Sequence, residues 1–294
     1  MPAQPAPLAG LRPPLGHGVG LRTRHFADWL AAPPKLGFVE AVSENFFAPG
    51  GRPIDVLLQV RRDVPVALHG VSLSIGSVDP LSATYLSRLG ALVRRVEPAV
   101  VSDHLCWGSH GGRYAHDLWP LPQTEEAVEH VAARVRAVQD ALGRRILLEN
   151  VSTYAAFRDQ ELTEWDFVAE VARRADCGIL LDVNNVVVSA RNHGFDPLDY
   201  LAGLPGERIG QLHLAGHQDR GAYLFDSHDH PVPEVVWELY REVVRRFGPV
   251  PAIVEWDERI PPLDEVVAES RAAAAVEAEV LDLLALRAAA GGAP

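Results

Sequence analysis

Short apolar runs alternate with stretches of helical periodicity along most of the chain. The eight runs, which we predict to be strands, lie at residues 18–21, 37–42, 65–68, 99–102, 145–148, 178–181, 209–212 and 250–254. Such alternation is typical of a parallel sheet whose strands are connected by helices. Because the runs are apolar throughout, as expected when both faces of a strand are buried, we predict an α/β fold, a single (β/α)8 TIM barrel.

The segments between the predicted strands differ in length and polarity. Residues 105–123 and 215–231 are rich in polar side chains and are predicted to be long loops. Thr124, followed by two acidic residues, predicts the start of a helix because its hydroxyl can cap the first turn. After residue 182 we predict a loop, a turn at residues 195–197 and a short helix.

The predicted barrel occupies residues 16–288 as one domain. A chain of 294 residues with 48% hydrophobic side chains can bury one large core and does not require a second domain. Residues 1–15 are rich in proline and alanine and lack a charged segment followed by an apolar one, so we interpret them as a disordered lead-in rather than a secretory signal. Residues 289–294 are predicted to be a frayed tail.

A side chain that can bind a metal stands at the end of seven consecutive predicted strands. These residues are Glu44, His69, His104, Glu149, Asp182, His213 and Glu255. In a barrel, parallel strands direct their carboxyl ends to the same face, so these side chains should meet at one mouth. Any one of them alone could be a loop hydrogen bond or a salt bridge. Together they would repel one another in a buried pocket unless cations neutralised them, which predicts a site for more than one metal ion.

The types of ligand narrow the choice of metal. Imidazoles mixed with carboxylates, without a placed thiolate, disfavour structural zinc, calcium and magnesium. Iron, manganese and catalytic zinc remain, and two histidines with one carboxylate and open positions suit ferrous iron that activates dioxygen. Asp226 and His228, in the second long loop, could complete a shell or hold a further ion. Asn185 could add an amide oxygen.

Composition excludes several classes of function. A net charge of −12 and a pI of about 5.4 argue against nucleic acid or an anionic membrane as a partner. No apolar run approaches the roughly 20 residues of a membrane span. Cys106 and Cys177 are too few for a disulfide framework and fit a cytoplasmic location.

Nine ordered motifs between residues 16 and 269 resemble those of one enzyme family. They are SENFF, ALHGVSLSIGS, SDHLCW, HDLWPLPQT, LLENVS, LDVNNVVVSARNHGFDP, HLAGH, DSHDHPVPEVVWELY and VEWDERIP. The chain resembles the multinuclear non-haem iron-dependent oxidative enzymes (domain of unknown function 692), the family that includes the methanobactin-biosynthesis iron enzyme. The resemblance implies a TIM barrel with two or three irons cycling between Fe(II) and Fe(III), and dioxygen as co-substrate. It also implies oxidation of a residue, most often cysteine, in a ribosomally made precursor peptide whose leader is bound by a small partner protein.

The resemblance also implies which residues bind iron. His69 and His104 would hold one iron, Glu149 and Asp182 would be shared between ions, and His213 and Glu255 would complete a second iron. Asp226 and His228, with Asn185, match a third. Position 185 is an asparagine where the family often has a histidine, so two and three irons both remain open. The six residues of the first two irons are also the predicted catalytic residues.

Other polar residues near the predicted mouth are expected to orient ligands or to contact substrate. They are Glu44, Asn150, His116, Asp117, His193 and His217. Two other functions stay open at this point. A barrel of the sugar-isomerase or endonuclease-IV type would use zinc or manganese without redox chemistry, whereas a metal-binding scaffold would have no turnover.

Overall fold

Eight parallel strands close into a barrel in the computed structural model, which describes residue 8 and residues 10–291. The barrel strands are β1 (His17–Gly20), β2 (Phe38–Val42), β3 (Val66–Gly70), β4 (Val100–His104), β7 (Leu147–Glu149), β8 (Gly178–Asp182), β9 (Ile209–Leu214) and β12 (Ala252–Val254). Each strand pairs with the next in that order, and β12 pairs with β1. The structure therefore confirms the TIM barrel predicted from the alternation of apolar runs.

Helices cover the outside of the barrel. They are α1 (Phe26–Ala31), α2 (Arg52–Val60), α3 (Ala83–Val96), α4 (Glu125–Leu142), α5 (Glu164–Ala175), α6 (Val183–His193), α7 (Pro197–Gly203), α8 (Glu234–Phe247) and α9 (Leu263–Gly291). The hydroxyl of Thr124 accepts a hydrogen bond from the Ala127 amide, as predicted for the start of α4. No helix in the described part of the chain is both long and apolar enough to cross a membrane.

The two predicted long loops contain short antiparallel hairpins. β5 (Trp107–His110) pairs with β6 (Arg113–Trp119), and β10 (His217–Asp219) pairs with β11 (Leu224–Asp226). Both hairpins follow barrel strands and so lie at the carboxyl-end face of the barrel, which is where active sites of this fold are built.

The segment after β8 is helical, whereas the sequence predicted a loop there. Asp182 is the last residue of β8 and also caps α6, since its Oδ1 accepts a hydrogen bond of 2.7 Å from the Asn185 amide. The capped turn leads into a buried apolar run at residues 186–188. A tertiary environment that buries these β-branched residues thus outweighs their weak helix propensity.

The opposite end of the barrel is closed by residues that the sequence assigned to a disordered lead-in. Leu11 is buried among inward-facing strand residues, including Phe38 and Leu147. The Arg12 guanidinium donates hydrogen bonds to the carbonyls of Gly206, Ile209 and Phe247. Residues 10–15 therefore pack against the barrel because its open end needs an apolar cover. Residues 1–7 and 9 lie outside the described residues.

The carboxyl-terminal helix also extends further than expected. α9 continues to Gly291 and so includes residues 289–291 of the predicted frayed tail. Residues 292–294 lie outside the described part of the chain.

Candidate metal centre

Three overlapping groups of potential ligands lie at the mouth of the barrel in the described structure. They are His69–His104–Glu149, Glu149–Asp182–His213–Glu255 and His228–Glu255–Asp257, and within each group the ligand atoms lie within 4.8 Å of one another. Glu149 belongs to the first and second groups, and Glu255 belongs to the second and third. The two shared carboxylates make the groups one continuous cluster.

The register of the barrel brings these side chains together. His104 pairs with Glu149 across β4 and β7, and Asp182 pairs with His213 across β8 and β9. Glu255 follows directly after β12, and its amide donates to the Leu214 carbonyl on β9. Neighbouring strands thus place these potential ligands side by side.

Glu149 is at the centre of the first two groups. Its Oε2 atom is 3.1 Å from Nε2 of His69 and 3.4 Å from Nε2 of His104. Its Oε1 atom is 3.3 Å from Nδ1 of His213, and the same Nδ1 is 3.0 Å from Oε2 of Glu255. Each carboxylate oxygen of Glu149 therefore faces a different group.

His228 joins the third group to the residues of the second long loop. Its Nδ1 atom is 3.4 Å from Glu255 Oε2 and 3.1 Å from Asp257 Oδ2, while its Nε2 atom is 2.7 Å from Asp226 Oδ1. The φ angle of His228 is 45°, in the left-handed region that non-glycine residues rarely adopt. Strain of this kind, of order 1–3 kcal/mol, often accompanies a side chain held in place for function.

Several buried polar atoms of the cluster make no hydrogen bond of good geometry, although some of them lie close to an oppositely charged group. They are Glu149 Oε2, Asp182 Oδ2, Asn185 Oδ1, His213 Nδ1 and His228 Nε2. Burying such atoms without a well-formed hydrogen bond is costly, and a cation would satisfy carboxylate and amide oxygens and imidazole nitrogens at once. The donor set of the cluster therefore fits metal ions, and its mixture of imidazole and carboxylate fits iron, manganese or catalytic zinc.

The electrostatics of the cluster are dominated by buried carboxylates. Burial raises the pKa of Asp182 well above its ordinary value, with Glu149 and Asp226 adding to the effect. Burial also opposes ionisation of Glu149, but His104, His213 and His69 outweigh it and lower the pKa of that carboxyl to about 2. Arg22 reaches the edge of the cluster, where its Nη2 atom is 3.1 Å from Glu255 Oε1 and 2.7 Å from Asp257 Oδ1.

Asn150 and Asn185 hold Asp182 in position from two sides. The Asn150 side chain accepts a hydrogen bond of 2.9 Å from the Asp182 amide and donates one of 3.1 Å to the Asp182 carbonyl. Asn185, on the first turn of α6, donates from Nδ2 to the Asn150 carbonyl at 3.0 Å. This bond uses the amide nitrogen of Asn185 and leaves its Oδ1 atom free to bind a cation in the cavity that the residue lines.

Glu44 lies beside the cluster and belongs to none of the three groups among the described residues. Its Oε1 atom accepts hydrogen bonds from the amides of Val71 and Ser72 and from the Tyr85 hydroxyl, at 2.7–2.9 Å. It therefore braces the turn after β3. Burial, with Glu44 close by, raises the pKa of the neighbouring Asp103 to about 7.

The remaining predicted residues surround the cluster at different distances from it. His116 and Asp117, on β6, line a cavity of about 560 Å³. His69, Glu149 and Glu255 of the cluster line the same cavity. His217 Nδ1 lies 2.7 Å from the side-chain oxygen of Asn184, whose Nδ2 donates to Asp226.

His193 does not line this cavity. Its Nε2 is 2.8 Å from Thr153 Oγ1, and it lines a neighbouring cavity of similar volume.

Four further residues of the site were not predicted from sequence. They are Arg22, Glu40, Asn184 and Asp257. The sequence could have identified Glu40, because a carboxylate within an apolar central strand is rare unless it is paired. No sequence feature identified Arg22 or Asp257, because a charged residue next to a strand end is ordinary on a protein surface.

Comparison with known proteins agrees with the motifs. A family model described as "RiPP precursor modification enzyme MbnB/TglH/ChrH" matches residues 16–278. A UPF0276 protein of Anaeromyxobacter sp. (strain Fw109-5) is 68% identical over 270 residues, covering 92% of this chain and 95% of that protein. A UPF0276 protein of Acaryochloris marina (strain MBIC 11017) is 51% identical over 258 residues, covering 88% and 93%. The resemblance drawn from the motifs is confirmed.

Solved structures with a similar fold are much more distant in sequence. Endonuclease IV from Thermus thermophilus aligns with a TM-score of 0.57 at 16% identity, covering 91% of this chain and 98% of that chain. A D-tagatose 3-epimerase-like protein aligns with a TM-score of 0.57 at 16% identity, covering 92% and 98%. At this level of identity the likeness concerns the barrel alone.

Proposed function

Because the chain belongs to the family of RiPP precursor modification enzymes MbnB/TglH/ChrH, we propose that it oxidises a residue of a ribosomally made precursor peptide, with iron and dioxygen. The residue is a cysteine in this proposal, and a small partner protein binds the leader of the peptide. The observation that carries the proposal is the pair of shared carboxylates, Glu149 and Glu255, which join three potential ligand groups. Sharing of this kind suits two or three ions held close together.

The first two sets of proposed ligands follow the groups of the structure. His69, His104 and Glu149 hold one iron, and Glu149, Asp182, His213 and Glu255 hold a second. Asp226, His228 and Asn185, with Glu255, are the candidates for a third, and Asp257 lies close enough to His228 to take part. Iron bound there supplies redox chemistry with dioxygen and, as a cation, lowers the pKa of a substrate thiol.

The residues of the chain have three tasks in this proposal. The carboxylates and imidazoles hold the metals, and the partners of the imidazoles fix which nitrogen faces the cluster. His69 Nδ1 lies 2.8 Å from Ser102 Oγ, and His104 Nδ1 lies 3.0 Å from the Gly70 carbonyl, so Nε2 of each ring points to Glu149. The β5–β6 hairpin lines part of the cavity and so contacts the group that occupies it.

The cavity sets the size of the substrate group. A volume of about 560 Å³ accommodates a side chain with a few flanking backbone atoms rather than a folded domain. Tyr114, His116 and Asp117, all on β6, present hydroxyl, imidazole and carboxylate groups along one wall. These groups can hold the peptide backbone while the oxidised side chain reaches the cluster.

Dioxygen uptake tests the proposal. The metal-free protein is reconstituted under nitrogen with Fe(II) in one sample and Zn(II) in another, and the genetically associated precursor peptide is added with its leader-binding partner. We expect dioxygen consumption and a change in peptide mass with iron, none with zinc, and none with a peptide in which the cysteines are replaced by serine. Equal peptide turnover with zinc would contradict the redox chemistry, as would peptide modification without dioxygen.

A further inference from the structure

A buried carboxylate that no sequence motif singled out contacts one of the potential ligands. Glu40, in the middle of β2, is 4% exposed, and its carboxylate lies 3.1 Å from Nε2 of His213. The side-chain amide of Gln211, which is itself fully buried, donates a second hydrogen bond to Glu40. Glu40 lies one layer below the cluster, inside the barrel.

Burying this carboxylate has a cost that the fold alone does not explain. A carboxylate inside a barrel loses its hydration, and a well-packed apolar side chain at the same place is often as stabilising. The other inward-facing residues at this end of β2 and its neighbours are apolar or belong to the cluster. Glu40 contacts the imidazole of His213 and the side-chain amide of Gln211. A role for the buried carboxylate therefore involves His213, which belongs to the cluster.

The two nitrogens of His213 face different neighbours. Nδ1 points to the cluster, at 3.3 Å from Glu149 and 3.0 Å from Glu255, while Nε2 points to Glu40. If Nε2 carries the proton that it donates to Glu40, the lone pair of the ring is on Nδ1, where an ion of the second group would be bound. A carboxylate behind a ligating histidine fixes the tautomer and ring orientation and makes the imidazole a stronger donor.

The other two strand-end histidines have neutral partners. His69 is held by the hydroxyl of Ser102 and His104 by the carbonyl of Gly70. Of these three imidazoles, His213 is the one backed by a carboxylate. An ion bound at His213 would therefore receive more electron density from its imidazole ligand than an ion bound at His69 or His104.

We propose that Glu40 is a positioning residue that holds His213 as an Nδ1 ligand and makes the group Glu149–Asp182–His213–Glu255 bind metal more tightly than the group His69–His104–Glu149. This inference rests on the proposed metal centre. It predicts an order of filling, with the site at His213 occupied before the site at His69 and His104. Loss of a carboxylate in this position typically lowers metal affinity by about 10- to 100-fold.

Stepwise metal titration of the full-length protein tests the inference. Metal-free wild type, Glu40→Gln and Ser102→Ala are titrated anaerobically with Co(II) against a competing chelator, and absorption and bound metal are followed. In wild type we expect stepwise binding, with the ion at His213 bound before the ion at His69 and His104. Glu40→Gln should weaken that first ion by about 10- to 100-fold and leave the remaining steps unchanged, whereas Ser102→Ala should leave the first step unchanged and weaken a later one.

A second measurement reports on His213 without enzyme activity. In the Co(II)-loaded wild type, proton NMR should show a strongly shifted, exchangeable imidazole N–H resonance that His213→Ala removes. Glu40→Gln should move this resonance and speed its exchange, because a neutral acceptor replaces the carboxylate. Circular dichroism and thermal unfolding of the metal-free variants identify any variant that fails to fold. If Glu40→Gln does not fold, Glu40→Asp replaces it, because aspartate keeps the charge and lengthens the contact with His213.

The possible outcomes distinguish the proposed role of Glu40 from the proposed metal centre. If wild type binds metal, and Glu40→Gln has the same affinity for the first ion and the same N–H resonance, the proposed role of Glu40 is wrong. The proposed metal centre would be unaffected by that result. Equal weakening of every step would also overturn the role of Glu40, since that result indicates a general effect on the barrel. A wild-type protein that binds no Co(II) and no Fe(II) would overturn the proposed metal centre itself.

Discussion

Nε2 of His69 lies 3.1 Å from Oε2 of Glu149, and the other oxygen of Glu149 faces His213. One carboxylate thus connects the first two ligand groups, although its neighbours come from strands far apart in sequence. The strand order makes this possible, because β3, β4, β7, β8 and β9 are neighbours in that order and end at the same face. Glu149 is therefore the residue on which more than one ion should depend.

Replacing Glu149 by glutamine is expected to remove metal from two groups at once. The amide keeps the shape of the side chain but loses the charge that two ions share, so iron content after reconstitution should fall by at least one ion per protein. Glu44→Gln is the matched control, because Glu44 lies at the same face and belongs to none of the three groups in the described structure. Equal iron content in Glu149→Gln and wild type, measured by elemental analysis, would contradict the shared-ligand role.

His116 is expected to act on substrate binding rather than on metal binding. It lines the cavity from β6, so His116→Ala should raise KM roughly fivefold, about 1 kcal/mol, with iron content unchanged. His110, on the same hairpin, does not line that cavity and is largely exposed, so His110→Ala should leave KM unchanged. Steady-state kinetics with the precursor peptide distinguish the two variants. A similar change in both would assign the effect to the hairpin as a whole.

Leu11 is expected to stabilise the barrel although the sequence placed it in a disordered lead-in. It fills the end opposite the cluster, so Leu11→Ala should lower the free energy of unfolding by roughly 2–5 kcal/mol. Leu286, 67% exposed on α9, provides the control, and Leu286→Ala should change it by less than about 0.5 kcal/mol. Urea unfolding of the metal-free proteins measures both. If Leu11→Ala unfolds like wild type, the closing role of residues 10–15 is wrong.

Glu164 should make stability depend on pH. Burial raises the pKa of its carboxyl from 4.5 to about 7, despite a hydrogen bond from the Tyr200 hydroxyl. Between these pH values the folded protein keeps a proton that the unfolded chain has lost, so this group favours folding at low pH and less so as the pH rises to 7. Glutamine resembles the protonated form at every pH and should avoid this loss.

Glu164→Gln is therefore expected to equal wild type in stability at pH 4.5 and to exceed it at pH 8, by roughly 1–3 kcal/mol. Chemical unfolding of the metal-free proteins at both pH values measures the difference. Glu279→Gln, at an exposed position of α9, is the control and should follow wild type throughout. A constant difference between Glu164→Gln and wild type across this range would contradict the raised pKa.

The barrel and most of its mouth could be predicted because both follow from simple periodicity. Runs of apolar residues marked the strands, and the rule that parallel strands end at one face then brought His69, His104, Glu149, Asp182, His213 and Glu255 together. The same rule also selected Glu44, which the structure places in a bracing role beside the cluster. Strand ends identify a face, but they do not say which side chains turn inward.

Glu40 shows why the rest was missed. It lies within β2 rather than after it, and it contacts the cluster through His213. Contacts between β2 and β9 depend on closure across the barrel interior, which local sequence does not specify. The helix α6 was missed for a related reason, since Asn184 and Asn185 resemble loop residues until Asp182 caps the turn that contains them.

Anomalous diffraction at the iron edge tests the metal centre most directly. Crystals of the protein reconstituted anaerobically with Fe(II) should give one peak among His69, His104 and Glu149 and another among Glu149, Asp182, His213 and Glu255, with any third peak beside His228. Peaks confined to the protein surface, or none at the barrel mouth in crystals whose solution sample contains stoichiometric iron, would contradict the account.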